Sequence, residues 1–335
     1  MTEPLLHRPD VLVLAAGGTL GEAWMRGLLD GAGAATGIDF RDCEYFVGTS
    51  AGSIVAAFLA AGREPDSGAE ARAARDWGAA AEAAGNGAAT GGPSGAAAGG
   101  PSGAAAGGAS GAGEEGPSGS ADEADPRRLA ALGRLGLAAA TPFAPLALAT
   151  TSPAGAVARA AALAAAPRGK RSMPGLGRLV DEAGAEFDGR LRIAAVNRKS
   201  GKRVMFGAPG APPATVAQAV LASCAIPWVF APVEIDGREY VDGGVWSPSN
   251  LDAVPARRGT EVLCLNPTAV LRPLSSVSNA AALAESLALK ARGARVRTIR
   301  PDEAAAEAMG GNFMDRSRAP QALAAGYAQG RALAG

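Results

Sequence analysis

Short apolar runs alternate with stretches of helical spacing along most of this chain. Val11-Leu12-Val13-Leu14-Ala15 is apolar throughout and stops at glycine, as a strand covered on both faces does. Glu22 to Ala34 reads as a helix, Glu44 to Val47 ends a second strand, and Ala51 to Ala61 is a small-residue helix closed by Gly62. Leu191 to Asn197 and Arg203 to Phe206 flank the turn Lys199-Ser200-Gly201 and predict a hairpin. Thr215 to Ala225 is helical, and Glu239 to Val241 is a strand running into Asp242-Gly243-Gly244. Glu261 to Asn266 and Arg295 to Ile299 are further strands on either side of a helix near Asn279 to Arg292. Helices over Asp302 to Met309 and Ser317 to Leu333 close the chain. This alternation predicts a layered α/β fold with a largely parallel central sheet.

The periodicity fails in the middle. From Gly91 the octet Gly-Gly-Pro-Ser-Gly-Ala-Ala-Ala occurs twice, and a degraded third copy starts at Gly107. Such a stretch has little to bury against the entropy of ordering its backbone. The expected organisation is therefore a first half over 1–81, a disordered Gly/Ala/Ser/Pro-rich linker over 82–125, an Ala/Leu-rich helical insertion or lid over 126–170, and a second half over 171–335. The uncharged part of that insertion, Leu135 to Ala158, can cover a site or serve as ordinary packing. Its three prolines make it a poor membrane span.

Composition then narrows the function. Of 335 residues, 47 are glycine and 23 proline, aromatics make up 4%, and 32 basic residues balance 32 acidic ones. That balance, without a long basic block, argues against nucleic-acid binding. Cys43, Cys224 and Cys264 form no C-x-x-C pair, which favours a reducing compartment and gives no metal or redox motif. No cofactor or metal is expected, and the leader has no signal-peptide character, so a cytoplasmic location is expected.

Three short motifs can carry chemistry. Gly48-Thr49-Ser50-Ala51-Gly52 matches G-x-S-x-G between a strand and a helix, where a tight turn lifts a serine hydroxyl clear of the sheet. A Gly-rich helix start in a Gly/Ala-rich protein is the plainer reading. Ala16-Gly17-Gly18-Thr19-Leu20-Gly21 follows the first strand and can present backbone N–H groups to a ligand. It reads as an oxyanion hole, as a dinucleotide loop with Asp39 or Asp42 about twenty residues on, or as a plain turn. Asp242 ends a strand and precedes two glycines, either as a turn residue or as a site carboxylate. The single histidine, His7, precedes the first strand and so lies at the edge away from the strands' carboxyl ends, where open α/β sheets place their sites. A Ser-His-Asp triad is excluded on inventory. If Ser50 is a nucleophile, a carboxylate or lysine must activate it.

On these residues the sequence resembles the patatin-like phospholipase family, over about residues 10–62 and 175–333. The resemblance rests on the glycine loop with Gly17, Gly18 and Gly21, the elbow Gly48 to Gly52, and Asp242-Gly243-Gly244. Further support comes from Ser223-Cys224-Ala225-Ile226-Pro227, Pro232-Val233, Asn250 and the closing Gly310 to Tyr327 stretch. It implies a patatin-like three-layer sandwich and a serine lipid acyl hydrolase. Ser50 would be the nucleophile, Asp242 its direct partner, and the Gly17 and Gly18 N–H groups the oxyanion hole. Gly21, Gly48, Ala51, Gly52, Gly243 and Gly244 would support these motifs. The implied partners are a lipid or other acyl-ester substrate, with peripheral contact at a membrane surface. Ala16 and Leu20 depart from the family loop, which reads G-G-G-x-[RK]-G. Leu20 in place of the basic residue leaves a neutral acylglycerol as plausible as a phospholipid. The competing function classes are a nucleotide-binding α/β protein using the 16–21 loop and a catalytically inactive lipid-binding relative.

Overall fold

The computed structural model describes residues 7–63, 153–271 and 275–333. The 82–125 linker, residues 126–152 of the helical insertion and most of its Leu135–Ala158 segment lie outside the described residues.

Five strands run parallel: β1 (Val11–Leu14), β2 (Tyr45–Thr49), β3 (Leu191–Asn197), β7 (Glu261–Leu265) and β8 (Arg295–Ile299). β4 (Arg203–Phe206), β5 (Val233–Ile235) and β6 (Arg238–Asp242) complete the sheet. The order is β5-β6-β3-β2-β1-β7-β8, with β4 also paired to β3. β1 sits in the middle of the parallel part, and all four of its residues are buried. That explains its unbroken apolar run.

Alternate side chains of these strands enter separate cores. Leu12, Leu14, Phe46, Ile193, Leu263 and Leu265 pack against α1 (Gly18–Thr36), α2 (Ala51–Ala60), α4 (Pro174–Ala183), α5 (Val216–Ser223) and α8 (Ala319–Ala332). Val11, Val13, Val47, Val262 and Cys264 face the other way, onto Leu289 of α6 (Ser275–Ala291) and Leu251 and Val254. The result is the expected three-layer α/β sandwich. α3 (Pro153–Ala165), from the insertion, packs Leu163 on Val196 and Val241 at the β3 and β6 ends. α7 (Glu303–Met309) starts at Asp302, whose carboxylate accepts the Ala305 N–H.

Three features go beyond the sequence-based expectation. α4 and β5 were not anticipated. β5 pairs with β6 across Asp236-Gly237, whose φ angles of 50° and 66° match a type I′ hairpin, so the Asp-Gly pair was a usable signal. The third is the contact between α1 and α8. Gly27 and Gly31 on α1 face Gly326 and Gly330 on α8 so closely that a Cβ on Gly31 would come 2.1 Å from the Tyr327 carbonyl, and one on Gly330 would come 2.2 Å from that of Leu28. Trp24 Nε1 donates to Gln329 Oε1 at 2.8 Å across the same seam. α1 begins directly in the glycine loop, so this seam anchors the loop's helix.

Gly31→Val is accordingly expected to cost about 2–4 kcal/mol by forcing the two backbones apart. Gly311→Ala, where nothing lies within 4 Å of an added Cβ, is the matched control. Urea denaturation of both variants checks this, and equal stability for the two would contradict the close-packed seam.

Candidate active site

β2 and β6 meet end to end. β4 pairs with Ile193 to Val196 of β3, overlapping both the β2 pairing (Thr49 opposite Ala194) and the β6 pairing (Asp242 opposite Ala195). β2 and β6 must therefore share the other edge of β3. β2 runs parallel to β3 and β6 antiparallel, so their last residues, Thr49 and Asp242, face adjacent β3 residues. Ser50 follows Thr49 directly. A Cβ on Gly243 would fall 2.4 Å from the Ala194 carbonyl, so glycine is required for the chain to leave β6 this close to β3.

Ser50 sits at a strained elbow, with φ 51° and ψ −123°, outside the regions an L-residue readily adopts. It precedes the first residue of α2 but its side chain caps no helical N–H. Ser53 bonds the Ser50 carbonyl instead, through its N–H at 2.8 Å and its hydroxyl at 2.6 Å. The Ser50 hydroxyl is thereby left for Asp242, whose charged form it favours. Tight packing of the elbow depends on Gly52, since a Cβ there would lie 2.0 Å from the Leu14 carbonyl. Gly48 has a similar role, since a Cβ there would lie 2.5 Å from the Ser53 Cα, and Ala51 is buried.

Asp242 is 5% exposed, and burial raises its pKa to about 6 against the opposing effects of the Gly244 N–H and the Ser50 hydroxyl. Gly244 N donates to Asp242 Oδ1 at 2.7 Å. The α5 exit holds both strand ends. Ser223 Oγ accepts the Ser50 N–H at 2.8 Å, and the Ala225 carbonyl accepts the Asp242 N–H at 3.0 Å. Between them, the buried Cys224 thiol contacts the Ser53 hydroxyl at 3.9 Å, and burial raises its pKa. Ser223 and Ala225 stood in the sequence only as flanks of a motif. Nothing local in the sequence reveals their contacts, which span more than 170 positions in the case of Ser223.

In the glycine loop, Ala16 N donates to the Pro248 carbonyl at 2.8 Å and Leu20 N to the Phe313 carbonyl at 3.0 Å. Gly17 and Gly18 N–H have no partner among the described residues. Gly18 has a φ of 57°, and Pro267 packs against both Gly17 and Gly21. Leu20 is fully buried in the core beside Trp24, so its side chain does not face a ligand. Asp39 accepts the Arg41 N–H and Asp42 lies in the 3₁₀ turn before β2, at the opposite edge of the sheet. Neither is placed to hold a ribose beside the glycine loop. His7 lines a groove at the starts of β7 and β8 with Glu261 and Arg295, also away from Ser50. Among the described residues no group of His, Cys, Asp and Glu is arranged to hold a metal ion.

A family model described as patatin-like phospholipase matches residues 12–255 of this chain. The chain belongs to the patatin-like phospholipase family. The match covers β1 through the turn after Asp242, and so takes in Gly17, Ser50 and Asp242. Membership in this family implies, in broad terms, lipid acyl hydrolase activity and a lipid substrate. No curated protein matches the chain. Among the described residues no helix is long and apolar enough to cross a membrane.

The raised Asp242 pKa has a direction for stability. The folded carboxyl holds its proton up to about pH 6, whereas the unfolded one releases it near 3.8. Asp242 therefore weakens the fold progressively as pH rises from about 4 through 6. Asp242→Asn is expected to gain stability over the wild type by about 3 kcal/mol at pH 8, with little difference at pH 4. Denaturation of both proteins at the two pH values measures this. A gain that does not depend on pH would contradict the buried, weakly acidic carboxyl.

Proposed function

We propose that the protein is a serine hydrolase of fatty-acyl carboxylic esters, acting through a Ser50–Asp242 dyad and an acyl-enzyme intermediate. The observation that carries this is the Ser50 hydroxyl, held at a strained elbow, capping no helix and placed at a strand end beside the buried Asp242, whose charged form it favours. The only histidine lies at the opposite edge of the sheet.

In this mechanism Ser50 Oγ attacks the ester carbonyl and its proton passes to Asp242. Oγ–C bond formation moves the carbonyl electron pair onto oxygen, and the Gly17 and Gly18 N–H groups accommodate that oxyanion. Collapse breaks the C–O bond to the alcohol, which takes the proton from Asp242. Water then attacks the acyl-enzyme, again giving its proton to Asp242, and the fatty acid leaves as Ser50 regains its hydrogen. An aspartate at its ordinary pKa is a weak base. Burial brings Asp242 to about 6, close to the pH at which it would accept a proton from serine. Because Leu20 is core and not ligand-facing, its replacement of a cation does not by itself select between phospholipids and neutral acylglycerols. Peripheral contact with a lipid surface fits such a substrate.

A fluorophosphonate probe is expected to label the wild type and not Ser50→Ala. Ester hydrolysis is expected to fall by at least about 10³-fold in Ser50→Ala and Asp242→Asn. Since the ionised Asp242 does the work, kcat/KM is expected to rise with pH through about 6 and level off above 7. Full activity in Ser50→Ala, or a rate that falls as pH rises through 6, would overturn the proposal.

A further inference from the structure

The loop after Asp242 carries a buried amide, Asn250, that the proposed chemistry does not use. Asn250 is fully buried, and its backbone is left-handed, with φ 48° and ψ 33°, a conformation that asparagine tolerates well. Its Nδ2 donates to the Ser247 carbonyl at 2.6 Å, to Thr49 Oγ1 at 3.1 Å and to the Gly243 carbonyl at 3.3 Å. Thr49 ends β2 and is followed by Ser50. Gly243 follows Asp242 at the end of β6. A single amide thus bridges the two strand ends, one residue away from each member of the dyad.

The amide cannot be turned round. Its Oδ1 accepts from Arg203 Nη1 at 3.1 Å, and a guanidinium has only donors. Arg203 in turn makes a two-pronged pair with Asp252 and lies against the Trp246 ring, as does Arg159 of α3. On the other side, Glu285 of α6 accepts from Ser249 Oγ at 2.6 Å and from Leu251 N at 2.8 Å, fixing the residues that flank Asn250. Burial, then the nearby Asp252, favour the protonated form of Glu285.

We propose that Asn250 is a positioning residue whose side-chain amide sets the distance and angle between Ser50 and Asp242, with Arg203 fixing the amide's orientation. This rests on the reading of Ser50 and Asp242 as the dyad. The chemistry explains the residue type. The position needs a left-handed backbone, two N–H donors towards the strand ends and one acceptor for Arg203. Aspartate has the right size and backbone tolerance but would turn acceptors towards the Ser247 and Gly243 carbonyls. It would also bring a negative charge near Asp242. The charged or titratable groups facing position 250 are Arg203 from β4, Asp252 from its own loop, Glu285 from α6 and Asp242 beyond Gly243. Glycine keeps the left-handed backbone and removes only the amide.

The test is the kinetics of fluorophosphonate labelling, and of cleavage of a soluble p-nitrophenyl ester, across pH 5–9 in full-length protein. The wild type is compared with Asn250→Gly, Asn250→Asp and Thr49→Val, with the melting temperature of each recorded. Asn250→Gly is expected to lower kcat by about 10–100-fold with KM within about twofold, the mark of misaligned groups rather than lost binding. Asn250→Asp is expected to lose a similar factor and move the acid limb to higher pH. Thr49→Val, which deletes one contact while keeping shape, is expected to lose about threefold to tenfold in kcat, and it carries the test if the Asn250 variants do not fold. A wild type that labels at the same rate as folded Asn250→Gly and Thr49→Val overturns the positioning role alone. A wild type that neither labels nor cleaves overturns the dyad reading, and the positioning role with it.

Discussion

Two strands that run towards each other along one edge of β3 create this site. A parallel strand and an antiparallel strand cannot continue past each other on the same edge, so β2 and β6 stop where they meet, opposite Ala194 and Ala195. Their carboxyl ends then fall side by side, and the next residues of each chain must turn away sharply. The turn after β2 lifts Ser50, and the turn after β6 requires Gly243 because the Ala194 carbonyl is so close. A hydroxyl and a carboxylate, separated by nearly two hundred residues in sequence, become neighbours because of a strand-pairing pattern.

That junction is held under strain. Ser50 adopts a backbone conformation costing on the order of 1–3 kcal/mol, and Asp242 keeps a carboxylate in a site where burial disfavours its charge. The surrounding contacts offset this. Ser223 and Ala225 take the N–H groups of Ser50 and Asp242, and Ser53 holds the Ser50 carbonyl. Behind the glycine loop, the Gly27 and Gly31 seam with Gly326 and Gly330 anchors α1 against α8. The same burial that weakens the fold at neutral pH is what, in the proposed mechanism, makes Asp242 a usable base. Stability and the proposed activity therefore pull in opposite directions at Asp242.

Much of this was legible in the sequence, and the rest was hidden for identifiable reasons. The strand-helix alternation fixed the layered architecture, because β1 reads as an unbroken apolar run and β2 and β7 carry shorter apolar runs that are buried on both faces. The elbow, the glycine loop and Asp242-Gly243-Gly244 were visible as local motifs, and Gly18, Gly48, Gly52 and Gly243 prove to sit where backbones nearly touch. The pairing of β6 with β3 was not legible, since antiparallel register between distant segments leaves no local mark. The α1–α8 seam was concealed by composition: in a chain so rich in glycine and alanine, two G-x-x-x-G spacings do not stand out. Asn250 was seen only as part of a flank, because its meaning lies in joining two nearby carbonyls to Thr49, 201 positions away. Leu20 was read as a change at the ligand side of the loop, and its burial places it in the core instead.

The most direct test of the Ser50–Asp242 dyad is the crystal structure of the protein after reaction with a fluorophosphonate. A Ser50–Asp242 dyad with its oxyanion hole in the glycine loop predicts phosphorus bonded to Ser50 Oγ, its free oxygen within about 3.1 Å of the Gly17 and Gly18 N–H groups, and an Asp242 carboxylate oxygen beside Oγ. An adduct on another residue, or a phosphoryl oxygen turned away from the glycine loop, would contradict it.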